Sequence, residues 1–149
     1  MQFVPFTPAH LNALQTEETE AWLAPLLERP ELAFRLGEEG LAWTGVVNGV
    51  VVGAAGVARV WRGRGVAWAL MHILPRPAWL AATRMAQRTL DDAHRRGIRR
   101  IEATVVHDFV AGHRWAQLLG FHPYARLVAY DPDGRDHVGY ERLRWPISA

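Results

Sequence analysis

The sequence predicts a single α+β domain over residues 1–149, with a mixed, mostly antiparallel sheet of about six or seven strands and about four helices. Three features lead to this fold class. An Asn-Gly pair at residues 48–49 joins two runs rich in Val and aromatics, an apolar strand–helix–strand passage follows, and an Asp-Pro-Asp-Gly turn at residues 131–134 separates two late strands. A strand–helix–strand passage closes with a right-handed crossover and parallel pairing. We therefore expect residues 66–74 and 99–106 to be parallel neighbours.

The N-terminal region predicts one strand and then helix. Residues 2–6 are a short first strand. The Thr-Pro pair at residues 7–8 is a favoured N-cap and first helical position, so a helix opens there and runs to about residues 22–27. Pro25 and Pro30 break this region into two short helical pieces.

Two tight turns organise the middle of the chain. Residues 41–47 and 50–61 form a hairpin, because the Asn-Gly pair between them supplies the positive φ angles of a type I′ turn. The turn over residues 62–65 leads into a strand over residues 66–73. This strand is apolar at nearly every position, which is typical of a central strand covered on both faces.

A long helix separates the two parallel strands. Pro75 and Pro77 stop the first strand, and apolar residues recur at helical spacing over residues 78–96. His-Arg-Arg before Gly97 is typical of a helix C-terminus, where cations and a glycine are favoured.

The last third of the chain repeats the alternation of strand and helix. Residues 101–106 are a strand, and residues 109–119 are a helix that Gly120 ends. Residues 121–130 and 137–145 then form a hairpin around the Asp-Pro-Asp-Gly turn.

Composition excludes several function classes. The chain has no cysteine, which rules out disulfides, thiolate metal sites and a cysteine nucleophile, and we predict no metal. No apolar run is long enough for a membrane span and the N-terminus does not resemble a signal peptide, so we expect a cytoplasmic protein. All 17 basic residues are Arg, but the net charge is only +2 and no basic tail exists, so a nucleic-acid partner is disfavoured.

The order of elements and one long stretch resemble the GNAT superfamily of N-acetyltransferases. The stretch Gly-His-Arg-Trp-Ala-Gln-Leu-Leu-Gly-Phe-His-Pro-Tyr-Ala-Arg-Leu, residues 112–127, is similar to the family's fourth helix, its Leu-Gly-Phe ending and the next strand. Residues 99–105 resemble its fifth strand, and the spacing of about 40 residues from the long helix to Gly120 also fits. The segment further resembles GNAT-like proteins of bacteriophages and prophages. The resemblance covers about 140 residues and implies acetyl transfer from acetyl-CoA to an amine.

The family's acetyl-CoA motif, Arg/Gln-x-x-Gly-x-Gly/Ala, has two candidate positions here. Its glycines let the backbone approach the pyrophosphate, and unpaired N–H groups meet the negative charge. Residues 62–67 match fully, but a helix starting there would soon meet Pro75. Residues 76–81 match less well, since Trp79 replaces the first glycine, yet they follow a buried strand and open a long helix. Structural context decides, so we assign the cofactor site to residues 76–81 and a hairpin turn to residues 62–67.

The resemblance implies how acetyl-CoA would lie. The pantetheine arm would run beside residues 71–74 and take main-chain hydrogen bonds, while the amides of residues 78–81 and the Arg76 side chain would contact the pyrophosphate. The residues assigned to cofactor binding are Met71, His72, Ile73, Arg76, Ala78, Trp79, Leu80 and Ala81.

The family's usual acid, a tyrosine on the fourth helix, is missing. Its position corresponds to Ala116, and no tyrosine occurs in residues 100–123. His72 and Asp108 are the predicted catalytic residues, as a base is needed to take a proton from the amine.

Other side chains and other roles stay open at this point. His72 is equally typical of a core histidine, and His107 with Asp108 of a loop cap. Glu102 is more typical of an ion pair with Arg99 or Arg100 than of a catalytic base. His113 is more typical of a solvated residue.

The predicted function is therefore an acetyl-CoA-dependent N-acetyltransferase with a small-molecule or peptide amine as acceptor. The alternative is a non-catalytic GNAT-like structural or interaction protein of phage origin. The absence of the tyrosine on the fourth helix and the presence of Trp79 in place of the motif glycine favour this alternative. A nucleic-acid-binding module is a third hypothesis. The oligomeric state is open, a homodimer included.

Overall fold

The computed structural model describes residues 1–15 and 27–144. The later part of the predicted N-terminal helical region and the end of the predicted last strand, at residue 145, lie outside the described residues.

Seven described strands form one mixed sheet in the order β1-β2-β3-β4-β5-β7-β6. They are β1 (Gln2–Pro5), β2 (Ala42–Val47), β3 (Val50–Trp61), β4 (Arg64–Met71), β5 (Arg100–Val106), β6 (His122–Leu127) and β7 (His137–Leu143). Among these, β4 and β5 pair in parallel and every other neighbouring pair is antiparallel. The predicted fold class and parallel pair are confirmed.

Three of the described helices lie where the sequence predicts them, and the helix over Pro30–Arg35 follows the end of the predicted N-terminal helical region. The described ones are a 3-10 helix (Pro8–Leu14), α1 (Pro30–Arg35), α2 (Arg76–Arg95) and α3 (Val110–Leu118). The helix predicted at residues 7–8 starts in the tighter 3-10 form. Its buried residues Leu11 and Leu14 are three apart, which matches three residues per turn.

Both predicted tight turns are present. Asn48 and Gly49 have φ angles of 48° and 77°, so the turn between β2 and β3 is the left-handed kind that Asn-Gly favours. Trp61 pairs with Arg64 across the next turn, so β4 begins two residues earlier than predicted and ends at Met71. The segment that matches the acetyl-CoA motif fully is therefore a hairpin turn and the start of a strand.

Glycines end α2 and α3 in the same way. Gly97 and Gly120 have φ angles of 92° and 87°. After α3, the Phe121 amide donates to the Ala116 carbonyl and the Gly120 amide donates to the Gln117 carbonyl, the two bonds of a Schellman motif. The Leu-Gly-Phe ending thus has a physical role, since the glycine permits the left-handed residue and Phe121 is buried.

The sheet buries both of its faces, each against different helices. On one face, α2 and α3 cover the main core, whose buried residues are Leu41, Trp43, Ala55, Val57, Ala82, Ala86, Leu90, Ala93, Ile98, Ile101, Ala116, Leu119, Phe121 and Tyr140. On the other, the 3-10 helix and α1 cover a smaller core of Phe6, Leu11, Leu14, Ala33, Ala42 and Ala54. Adjacent residues Ala54 and Ala55 belong to different cores, as the alternation of a strand requires.

Candidate functional site

The two parallel strands are paired at one end only. Their register covers three positions, from Arg64 opposite Arg100 to Val66 opposite Glu102. Beyond Val66, β4 continues beside β3 and β5 continues beside β7, with no further pairing between β4 and β5 in the described sheet. The main-chain groups on this edge of β4 therefore have no strand partner. We call this opening the β4–β5 gap.

A network of charged side chains closes the paired end. Glu102 on β5 accepts hydrogen bonds from Arg64 Nε at 2.6 Å and Arg64 Nη2 at 3.1 Å, and from Arg100 Nε at 2.9 Å. Arg100 also binds Glu141 on β7. The hydrogen bonds from Arg64, and then those from Arg100, lower the pKa of Glu102 to about 2 although its partial burial acts in the opposite direction. Glu102 is thus a structural ion-pair partner, as the sequence favoured, with Arg100 and not Arg99, and with Arg64 in addition.

His72 lies directly after β4, at the open end of the gap. Its amide donates to the Val52 carbonyl at 2.9 Å, which fixes the backbone against β3. Its ring atom Nε2 is buried and has no hydrogen-bond partner among the described residues. Among the described residues, the buried ring nitrogens of Trp43 and His94 also lack hydrogen-bond partners. Trp43 lies on β2 and His94 in the last turn of α2, so neither follows β4 as His72 does. The residues on either side of His72 differ, since Met71 packs against the main core and Ile73 is fully exposed.

The N-terminus of α2 has few free amides. A helix leaves its first four N–H groups without intrahelical acceptors. Here these positions are Pro75, Arg76, Pro77 and Ala78, and the two prolines have no N–H. The Trp79 amide already donates to the Pro75 carbonyl at 3.0 Å. The expectation of amide donors at Trp79, Leu80 and Ala81 is therefore corrected, and Arg76 and Ala78 are the residues that offer free amides.

Trp79 points to the neighbouring helix. Its ring lies 4.9 Å from that of Trp115 on α3, with the planes tilted by 37°. Trp115 Nε1 donates to Thr83 Oγ1 at 3.0 Å, and the Thr83 hydroxyl donates to the Trp79 carbonyl at 2.9 Å. This closed set of contacts joins α2 to α3 beside the open end of the gap.

The residues that follow β5 form a second group at the open end. His107 Nδ1 lies 2.9 Å from Asp108 Oδ1, and both side chains are exposed, that of Asp108 by 95%. His113 Nε2 lies 2.7 Å from the His107 carbonyl, and His113 Nδ1 lies 2.7 Å from the Tyr140 hydroxyl. Since a carbonyl only accepts, Nε2 carries a proton and donates to the His107 carbonyl, and Nδ1 shares a hydrogen bond with the Tyr140 hydroxyl.

Tyr140 is the residue that sequence reasoning missed. It lies on β7, far along the chain from α3, and is only 2% exposed. The alignment of the hairpin beside β5 places Tyr140 opposite Ala103 and under α3. The sequence around Tyr140 contains no pattern that predicts its hydrogen bond with His113. His113, expected to be solvated, is instead half-buried and bonded at both ring nitrogens.

The predicted site residues thus divide around the gap. His72 and Asp108 follow the two diverging strands, and no hydrogen bond or ion pair joins them within the described residues. No group of three or more metal-binding side chains occurs in residues 1–15 and 27–144. None of the helices described is long and apolar enough to cross a membrane.

The splayed parallel pair, with a long helix leaving its open end, belongs to the GNAT fold, and solved structures share it. A ribosomal-protein-alanine N-acetyltransferase from Brucella melitensis matches with a TM-score of 0.74 and 15% identity, over 97% of this chain and 100% of its own. A protein from Salmonella typhimurium, solved with its cofactor acetyl-CoA, matches with a TM-score of 0.71 and 19% identity, over 99% of this chain and 96% of its own. A GNAT-family acetyltransferase from Bacillus anthracis matches with a TM-score of 0.63 and 15% identity, over 95% of this chain and 93% of its own.

These similarities establish the fold. Identities of 15–19% are too low to carry an activity from one protein to another. No family model and no curated protein sequence matches the chain.

Proposed function

We propose that the protein is an N-acetyltransferase that uses acetyl-CoA and an amine acceptor. The observation that carries the proposal is the β4–β5 gap, because an unpaired strand edge accepts main-chain hydrogen bonds from an extended ligand. The fold supports it, since the similar structures include a ribosomal-protein-alanine N-acetyltransferase and a protein with bound acetyl-CoA.

The residues around the gap fit acetyl-CoA in two places. The edge of β4 near Met71, with His72 and Ile73, would hold the amide-bearing pantetheine arm. The α2 N-terminus would hold the pyrophosphate, where the positive end of the helix dipole favours anions. Because two prolines reduce the number of amides, the Arg76 guanidinium carries more of this contact than it would in a glycine-rich loop. Arg76 is exposed and makes no ion pair with a described residue, so it is free to bind phosphate.

His72 is the base that the geometry favours. Acetyl-CoA supplies an acyl thioester, and the acceptor amine has to lose a proton before or during attack. A buried polar atom without a partner is uncommon in folded proteins, so the free Nε2 of His72 indicates a group that this chain does not itself provide. An acceptor amine or a bridging water there would complete its hydrogen bonding. The proton that His72 takes from the amine passes to the departing thiolate. The reaction is then balanced in protons without a separate acid.

Asp108 has a different role in this proposal. Its carboxylate is exposed and lies beside His107, which suits attraction of a cationic amine more than proton transfer inside a closed site. The acceptor class stays a small-molecule or peptide amine. Cytoplasmic location and a homodimer stay predictions.

The second candidate is a GNAT-like protein without catalysis. Trp79 in place of the motif glycine, its contact with Trp115 and the two prolines at α2 favour it. In this second candidate function, the protein is of phage origin.

Titration calorimetry with acetyl-CoA and CoA decides between the two. The acetyltransferase should bind acetyl-CoA with a Kd below about 1 mM, and should then release free thiol when amines such as polyamines or short peptides are added. Adenosine 3′,5′-bisphosphate serves as the control for nucleotide binding alone. Absence of binding at millimolar acetyl-CoA would overturn the enzyme proposal and favour the structural protein.

A further inference from the structure

A second cleft lies at the paired end of the parallel strands, away from the β4–β5 gap. It has a volume of about 400 Å³ and is open to solvent. Its lining residues are Trp61, Arg62, Gly63, Arg64, Arg99, Arg100, Glu102 and Leu143. The cleft lies at the start of β4, whose eight residues span about 20 Å or more at about 3.3 Å per residue, whereas the α2 N-terminus follows the end of that strand. We call it the Arg-Gly cleft, because the turn that matched the acetyl-CoA motif forms one wall.

The charge of the cleft is positive. Glu102 and Glu141 offset the guanidinium groups of Arg64 and Arg100. Arg62 and Arg99 are exposed, and neither makes an ion pair within the described part of the chain. Two guanidinium groups without an ion-pair partner, one from the β3–β4 turn and one from the residue before β5, thus line one cleft. Arginine binds phosphate oxygens with two parallel hydrogen bonds, which makes such a pair suitable for a phosphate group.

One of these arginines lies against the glycine of the turn. Gly63 has a φ angle of 84°, and a Cβ atom there would lie 2.6 Å from Arg99 Nη2. The glycine therefore gives the Arg99 guanidinium room against the backbone of the turn. The Gly63 carbonyl also accepts the Arg100 amide at 3.0 Å, which ties the turn to the start of β5.

An aromatic side chain lies beside the positive groups. Trp61 is 62% exposed, and the Arg64 guanidinium lies 4.4 Å from its ring centre. An indole fixed by a cation on its ring and accessible to solvent is a surface on which a planar base stacks.

We infer that the Arg-Gly cleft binds a nucleotide, with its phosphate between Arg62 and Arg99 and its base on Trp61. The volume fits one nucleotide unit, since pockets for small ligands measure about 300–1,000 Å³. An acidic peptide would satisfy the arginines but would leave the indole unused. The nucleotide can be free or part of a single strand, because both present a phosphate beside a base.

Fluorescence anisotropy tests this with two labelled probes, adenosine monophosphate and a short oligothymidylate. The Arg62→Ala/Arg99→Ala variant should bind at least about tenfold more weakly, because it loses two charged contacts. Trp61→Ala should bind about five- to tenfold more weakly, the loss expected for one stacked base. Both changes are at exposed side chains, so the variants should fold, and circular dichroism checks this.

The matched control removes the same charge elsewhere. Arg84 and Arg88 on α2 are exposed and make no ion pair with a described residue, so Arg84→Ala/Arg88→Ala should change binding less than about twofold.

The outcomes are distinct. Binding of adenosine monophosphate supports the inference and identifies the ligand as a free nucleotide. Binding of the oligothymidylate alone, with a steep salt dependence, supports the inference and identifies the ligand as a single strand. Equal losses in the two double variants would show general attraction to a basic protein and overturn the inference. Competition by inorganic phosphate that matches adenosine monophosphate, or no binding of either probe at millimolar concentration, would overturn it as well.

Discussion

Arg64 and Glu102 join the two parallel strands through two hydrogen bonds, of 2.6 and 3.1 Å, at the end where these strands are in contact. The Arg64 side chain comes from β4 and the Glu102 side chain from β5. Beyond this pair the strands separate. The same ion pair therefore stabilises the closed end of the β4–β5 gap and forms one wall of the Arg-Gly cleft.

The Glu102→Gln variant should lose stability in a pH-dependent manner. The pKa of Glu102 in the folded protein is about 2, below its ordinary 4.5, so its contribution to stability is complete above about pH 5 and is lost as the pH falls toward 2. Urea unfolding at pH 7 should show the variant less stable by roughly 1–3 kcal/mol. The difference should become small near pH 2, where about half of wild-type Glu102 is already protonated in the folded protein. A difference that is independent of pH would show that packing, and not charge, is responsible.

Arg76 should contribute directly to acetyl-CoA affinity. Replacing it with Ala should weaken binding by about 1.5–3 kcal/mol, because a charge-assisted contact to phosphate is lost where few amides can compensate. Titration calorimetry measures the effect, and Arg84→Ala provides the control on the same helix. If both variants bind acetyl-CoA as the wild type does, the phosphates do not lie at the α2 N-terminus.

His72→Ala should lower the turnover number about a hundredfold, the lower range for loss of a general base. His122→Ala is the control, since His122 is an exposed histidine on β6. Asp108→Ala should raise KM for a cationic amine more than it lowers the turnover number. Thiol release followed across pH separates the two roles, and unchanged kinetics in His72→Ala would assign the base to another group or to none.

Trp79→Ala tests whether the indole blocks the cofactor. The loss of its contact with Trp115 should lower the free energy of unfolding by about 1.5–3 kcal/mol, since both rings are only partly buried. Acetyl-CoA affinity should change little, because the indole is directed toward α3. A marked gain in affinity would mean instead that Trp79 obstructs the site.

Local patterns in the sequence determined most of the fold. The Asn-Gly pair required positive φ angles, Gly97 and Gly120 ended their helices, and the prolines at residues 75 and 77 marked the start of α2. These features depend on neighbouring residues alone, so the order of elements and the crossover could be predicted. The choice of residues 62–67 as a turn followed from the same kind of local constraint.

The contacts between distant residues were decided only by the tertiary structure. The partners of Glu102 were ambiguous in the sequence, and the link between His113 and Tyr140 had no local pattern, because both depend on which residues the register of β4, β5 and β7 brings together. The number of free amides at α2 likewise depended on where the helix begins. Local chemistry fixes the backbone of turns and helix ends, whereas a side chain's charge and partners are set by packing across the sheet.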